Sequence, residues 1–183
     1  MGETSLILID IQTGFDDPVW GTRNNPDAEV QAGKLLDHAR AKAWRVIHIR
    51  HVSVTPGSPL SGDGLCFKPQ VTPLADEVVL EKSVNSAFIG TNLESRLRAD
   101  KVTDVVICGL TTPHCVSTTT RMAANLGFDV TLAHDACAAF TSNADASWGA
   151  ASQPTAEDIH DAALHHLHQE FANVRATGDI LSG

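Results

Sequence analysis

A chain of 183 residues, 43% hydrophobic and 19% charged, has the size and make-up of one globular domain spanning residues 1–183 that can bury roughly two thirds of its unfolded surface. Its 13 basic and 22 acidic residues leave a net charge of −9, which repels phosphate backbones. No Lys/Arg run interleaved with aromatics reverses that locally, so nucleic acid is not an expected partner.

The apolar run Leu6 to Ile9 is too short for a membrane span or a signal sequence and has no basic flank, which makes a cytoplasmic, non-membrane protein the expectation. In that reducing setting Cys66, Cys108, Cys115 and Cys137 are thiols, with no Cys-x-x-Cys pair and no Cys/His zinc spacing among them.

Strand-length apolar runs alternate with helix-length amphipathic stretches, the pattern of an α/β protein with a mostly parallel sheet. Six strands are expected: Ser5 to Ile9, Arg45 to Arg50, Val78 to Leu80, Asp104 to Leu110, Asp129 to Ala133, and Asn173 to Ala176. Their Val, Ile and Leu content with little polar alternation suits strands covered on both faces. A first helix is expected over Pro26 to Ala43, with Asn25 as its cap and Pro26 in first position. Thr91 to Glu94 has the capping-box pattern for a second. Thr112-Pro113 opens a third that runs to Leu126 and stops at Gly127, and Thr155 to Asp158 opens a fourth that carries Leu164, Leu167 and Phe171. His51 to Asp76 and His134 to Pro154 read as long loops, the kind that carry function.

Ligands of an open parallel sheet bind at the carboxyl ends of its strands. Asp10 follows the first strand, Lys82 the third, and Cys115 lies beyond the fourth at a helix start. Taken singly, each has a plain reading: a turn carboxylate, a solvated ammonium, a quiet helix cysteine. Together, if their strands are neighbours, they supply a general base, a cation and a nucleophile. A helix N-terminus and a nearby Lys82 both favour a Cys115 thiolate. The tight turn from Gly109 to Cys115 can also aim two backbone N–H groups at one point, as an oxyanion hole does.

Three blocks then resemble the isochorismatase-like cysteine hydrolases: Leu8-Ile9-Asp10-Ile11-Gln12 with Phe15; Glu81-Lys82-Ser83-Val84-Asn85-Ser86-Ala87-Phe88 with Gly90 to Leu93; and Gly109 to Val116 with Thr119-Thr120-Arg121 and Ala123 to Gly127. They cover most of the chain, in order. The resemblance implies a doubly wound, three-layer α/β/α fold and an Asp10, Lys82, Cys115 triad that cleaves a small non-peptide amide or lactam through a thioester. It also implies a cis peptide between Leu110 and Thr111, with the amides of Thr111 and Cys115 holding the oxyanion. Pro113 departs from the polar residue common at that place.

Nicotinamidases of this kind carry an Asp-x-His metal motif after the second strand, where this chain reads His48-Ile49-Arg50-His51, so no metal and no cofactor are expected. Of the helical histidines His160, His165, His166 and His168, most are expected to face solvent, with His165 nearest to packing. Phe15, Trp20, His51, Phe88, His114 and Trp148 lie on segments above the sheet edge and are the expected pocket wall. The stretch Gly21 to Pro26, together with Lys82 to Thr91, is similar to a branch that includes streptothricin hydrolases, which open a lactam and whose polycationic substrate would suit an acidic chain. The resemblance further implies a homo-oligomer, dimer or tetramer. Rival readings are an isochorismatase-type vinyl-ether hydrolase, a nucleotide-binding Rossmann-like protein, and a noncatalytic or redox scaffold. A Gly-x-Gly-x-x-Gly turn is missing after the first strand, which counts against the second of these.

Overall fold

Strands β1 (Glu3–Ile9), β2 (Arg45–His51), β3 (Val78–Lys82), β4 (Val102–Leu110), β5 (Asp129–Ala138) and β6 (Asn173–Arg175) form one sheet in the order β3-β2-β1-β4-β5-β6. Every pairing is parallel. The structure is a computed structural model that describes residues 3–149 and 152–183. Helices α1 (Ala28–Ala41), α2 (Leu93–Ala99), α3 (Ser117–Asn125), α4 (Ala156–Leu167) and α5 (Thr177–Ser182) cover the sheet. Right-handed crossovers put α1 and α5 on one face and α2, α3 and α4 on the other, giving a doubly wound α/β/α sandwich. Among the described residues no helix is long and apolar enough to cross a membrane.

The core follows from the central strands. Leu6, Ile7, Leu8 and Ile9 of β1 are all at most 1% exposed because helices lie on both sides of them. Leu35, Leu36 and Ala39 of α1 pack on one face, and Leu93 and Leu97 of α2 contribute to the same core cluster. Chain order reverses between β1 and β4, so the crevice of the sheet opens where these two strands end. Gly109 makes their close approach possible. Its φ is +133°, and a Cβ there would sit 2.0 Å from the Ile9 carbonyl oxygen.

Several boundaries differ from expectation. β5 continues to Ala138, past the expected end at Ala133, with a register shift against β4 between Ile107 and Gly109. The polar groups that made this stretch look like a loop find partners from distant segments. Asp135 Oδ1 accepts from the Thr177 N–H and hydroxyl at 2.8 and 2.7 Å, and Asn25 Nδ2 donates to the carbonyls of His134 and Cys137 at 3.2 and 2.8 Å. Asn25 is therefore a tether to β5, in a left-handed conformation with φ of 42°, and α1 begins only at Ala28. The expected capping box at Thr91 does not form: its hydroxyl donates to Ala87 O at 2.5 Å and accepts the N–H of Leu93 at 3.2 Å, not that of Glu94, and Asn92 takes the cap position of α2. At the start of α4 it does form, with the Thr155 hydroxyl accepting from Asp158 N–H and Asp158 Oδ2 from Thr155 N–H. That helix ends at Leu167, short of Phe171, and α5 was not anticipated.

Candidate active site

The carboxyl ends of β1, β2, β3 and β4 converge on one buried ammonium. Lys82, the last residue of β3, is not beside β1 but one strand removed, with β2 between them. In the β2–β3 register His51 faces Lys82, and the lysine side chain reaches over it to the centre of the sheet. Its Nζ donates to Asp10 Oδ2 at 2.6 Å, lies 3.0 Å from His51 Nδ1, and donates to Cys115 Sγ at 3.2 Å. An ammonium has three N–H bonds, and three acceptors use them all.

Asp10 leaves β1 with φ of 53°, its N–H bonded to Ile49 O at 3.0 Å. Its side chain is fully buried, and Oδ1 has no hydrogen-bond partner among the described residues. Burial pushes the Asp10 carboxyl up to about 6 although Lys82 pulls it back.

Cys115 is held by an irregular turn. β4 ends in a cis Leu110–Thr111 peptide, a π-helical turn over Thr112–Val116 follows, and α3 begins at Ser117. The carbonyl of Thr111 accepts the N–H groups of His114 and Val116, both at 3.2 Å, and Pro113 has no N–H. Behind the turn the Thr112 hydroxyl contacts Nδ1 of His160 at 2.8 Å. His160 is buried and, through burial, favours its neutral form, whereas His165, His166 and His168 are exposed. The expectation of a Cys115 thiolate needs correction. Burial, and then the negative charge of Asp10, push the thiol up to about 12, so it rests protonated beside an ionisable carboxylate.

A cavity of about 500 Å³ opens above these groups. Phe15, Trp20, His51 and His114 line it, together with Thr111 and Cys115. Phe15 and Trp20 have ring centroids 5.0 Å apart, and Phe15 stacks on Phe140. The indole N–H of Trp20 is spent on Gly14 O at 2.8 Å, leaving the ring an apolar wall. Two expected wall residues lie elsewhere. Phe88 is 8% exposed and stacks on Phe128 in the core, because the chain after Lys82 turns inward to meet α3. Trp148 is 82% exposed and does not line the cavity. Pro113 lines a separate cleft beside α4.

Residues not singled out from sequence complete the site. Gln12 clamps the backbone of His51, accepting its N–H at 2.7 Å and donating to its carbonyl at 3.1 Å. Asn85 lies near the Cys115 sulfur, with Oδ1 at 3.8 Å. Both sit inside the motif blocks, which was the available signal. Residues 53, 55–60, 142 and 143 form much of the remaining wall, and no pattern in their sequence marks them. Asp10, His51 and Cys115 group their donor atoms within 4.8 Å of one another, as a metal site does, but the Lys82 ammonium already contacts all three. The cation of this cluster is the lysine. His48, the other histidine of β2, is bonded to Glu77 Oε2 at 3.0 Å.

An isochorismatase domain matches residues 4–179. The chain belongs to the isochorismatase family. Over 97% of its length this hydrolase-family chain is 47% identical to an uncharacterized isochorismatase family protein of Bacillus subtilis, YrdC, and covers 94% of it. An isochorismatase-family protein of Chromobacterium violaceum superposes with a TM-score of 0.92 at 42% identity, over 98% of this chain and 92% of the other. A streptothricin hydrolase of Streptomyces noursei is 32% identical over 92% of this chain and 58% of its own. This isochorismatase-family hydrolase thus carries the Asp, Lys, Cys arrangement on the fold of its relatives.

Proposed function

We propose that the protein hydrolyses a carbon–nitrogen bond of a small uncharged amide or lactam through a thioester on Cys115. The observation that carries this reading is one buried ammonium, Lys82, touching both the Asp10 carboxylate and the Cys115 sulfur at the floor of a cavity. Asp10 takes the Cys115 proton on its unpaired Oδ1, and the thiolate adds to the carbonyl carbon. The amides of Thr111 and Cys115 receive the oxyanion, as the family resemblance implies, and those of His114 and Val116 are already bonded to the Thr111 carbonyl. The C–N bond then breaks, Asp10 returns the proton to the leaving nitrogen, and a thioester remains. Water attacks the thioester with Asp10 as base, releasing the acid and restoring the thiol. Lys82 stays charged throughout and balances whichever of Asp10 and Cys115 is negative. No metal or cofactor enters.

The cavity wall supports an uncharged substrate. Phe15, Val19, Trp20 and Leu60 make it largely apolar, and among the described residues no Asp, Glu, Lys or Arg side chain lines it. A polycationic, streptothricin-like substrate would leave its charges unpaired there. Isochorismatase-type vinyl-ether cleavage is the alternative, and it leaves the placement of Cys115 without a use. The remaining expectations belong to the same reading: a cytoplasmic homo-oligomer, dimer or tetramer, acting on a small molecule and not on nucleic acid.

The test is ammonia or amine release from a panel of small amides, with intact-protein mass spectrometry to detect an acyl adduct on Cys115. Cys115→Ala is expected to fold and to lose turnover and adduct together. An active Cys115→Ala enzyme would sink the proposal.

A further inference from the structure

Among the described residues, His51 is the one ring lining this cavity that is hydrogen-bonded to the buried triad. Its backbone is held at both ends by Gln12, and its side chain is 14% exposed. The neighbouring ammonium can only donate, so Nδ1, at 3.0 Å from Lys82 Nζ, must accept. A neutral imidazole that accepts at Nδ1 carries its proton at Nε2. No hydrogen bond among the described residues reaches Nε2, and the residue lines the cavity. The titratable groups facing the ring are Lys82, Asp10, whose Oδ2 lies 3.9 Å from Nδ1, and the Cys115 thiol, whose sulfur lies within 4.8 Å of the ring.

We propose that His51 has two separable roles: Nδ1 holds the Lys82 ammonium in its place between Asp10 and Cys115, and Nε2–H donates a hydrogen bond to an acceptor on the substrate. Toward Lys82 it is a positioning residue; toward the substrate it is a binding residue that selects a molecule with an acceptor, such as a carbonyl or ring nitrogen, next to the scissile bond. The second role rests on the amide-hydrolase reading; the first does not. Burial and the adjacent Lys82 keep the ring neutral, pulling it down to about 4, so it neither shuttles protons nor repels the ammonium at working pH. Without His51 the third N–H of Lys82 would be buried and unpaired, a loss felt in the chemical step and not only in binding.

The two nitrogens can be tested apart. In His51→Asn the amide oxygen falls near the position of Nδ1, restoring the acceptor for Lys82 while removing the distal donor. Its expected signature is a KM raised about tenfold with kcat within about threefold, the loss of one hydrogen bond to substrate. His51→Ala removes both contacts, and kcat is expected to fall a further 10-fold or more. Equal values for the two variants, or an Ala variant within twofold of wild type in both constants, would overturn the assignment. A second measurement needs no turnover. With 15N-labelled imidazoles in the free wild-type enzyme, His51 is expected to show the Nε2–H tautomer and no titration between pH 8 and 5. An Nδ1–H tautomer, or a midpoint near the ordinary histidine value, overturns the Lys82 contact even if the variants fail to fold. In Cys115→Ala enzyme saturated with an amide that the wild type cleaves, the Nε2–H resonance is expected to move, and an unmoved resonance overturns the donor role. If wild type cleaves no amide, the hydrolase reading and the donor role fall together, while the tautomer measurement still decides the Lys82 contact.

Discussion

Acidification separates this site from one that stores a ready-made thiolate. In the proposed cycle the free enzyme is competent when Asp10 is ionised and Cys115 is protonated. The Asp10 carboxyl, pushed up by burial to about 6, is ionised to about 90% at pH 7 and about 10% at pH 5, so activity is lost as pH falls through that value, close to tenfold across those two units. Cys115, raised to about 12 by burial and by Asp10, adds no limb below pH 10, and His51, pulled down to about 4, adds none above pH 5. The expected profile of kcat/KM is therefore one acid limb centred near 6 and a flat top to about pH 9. Initial rates of ammonia release at substrate concentrations well below KM, in buffers of constant ionic strength, measure it directly. A limb centred at pH 8 to 9 would mean that the thiol itself must ionise before reaction. A rate unchanged down to pH 5 would remove Asp10 as the base. Either result refutes the proton path.

Other outcomes follow from the same contacts. Asp10→Asn is expected to abolish hydrolysis yet speed alkylation of Cys115 by iodoacetamide about tenfold or more at pH 7.5, because it removes a charge that opposes the thiolate and keeps the Lys82 ammonium. Peptide mass spectrometry reads this against the exposed Cys66, and slower alkylation would contradict it. Gln12→Leu strips both partners from the His51 backbone and is expected to cost about 1 to 3 kcal/mol in urea unfolding. Phe88→Ala should cost about 3 to 5 kcal/mol through its core stack on Phe128, whereas Trp148→Ala should stay within about 0.5 kcal/mol and leave KM unchanged. Reversed results would return both aromatics to the pocket wall.

The loop-like segments show where the boundaries escaped a linear reading. His134 to Ala138 carries a histidine, an aspartate and small residues, yet it is strand, because Asn25 and Thr177 satisfy its polar groups from far along the chain. Asn25 itself resembles a helix cap and serves as that tether. Phe88 and Trp148 failed as pocket residues for a related reason. Position on a loop says nothing about which way the loop folds, and one turned into the core while the other faces solvent.

What the sequence determined by itself was the set of strands and the points where Asp10, Lys82 and Cys115 leave or follow them. Apolar runs report burial along one chain, and strand ends are where such a sheet exposes its chemistry. The tertiary structure alone decided that β2 lies between β1 and β3, so that His51 became the third partner of Lys82. It also decided the protonation of the site. The sequence placed the thiol at a helix start beside a cation, which favours a thiolate. Desolvation and the Asp10 charge win instead, because both grow with how completely distant segments enclose the sulfur, a quantity that no local pattern carries.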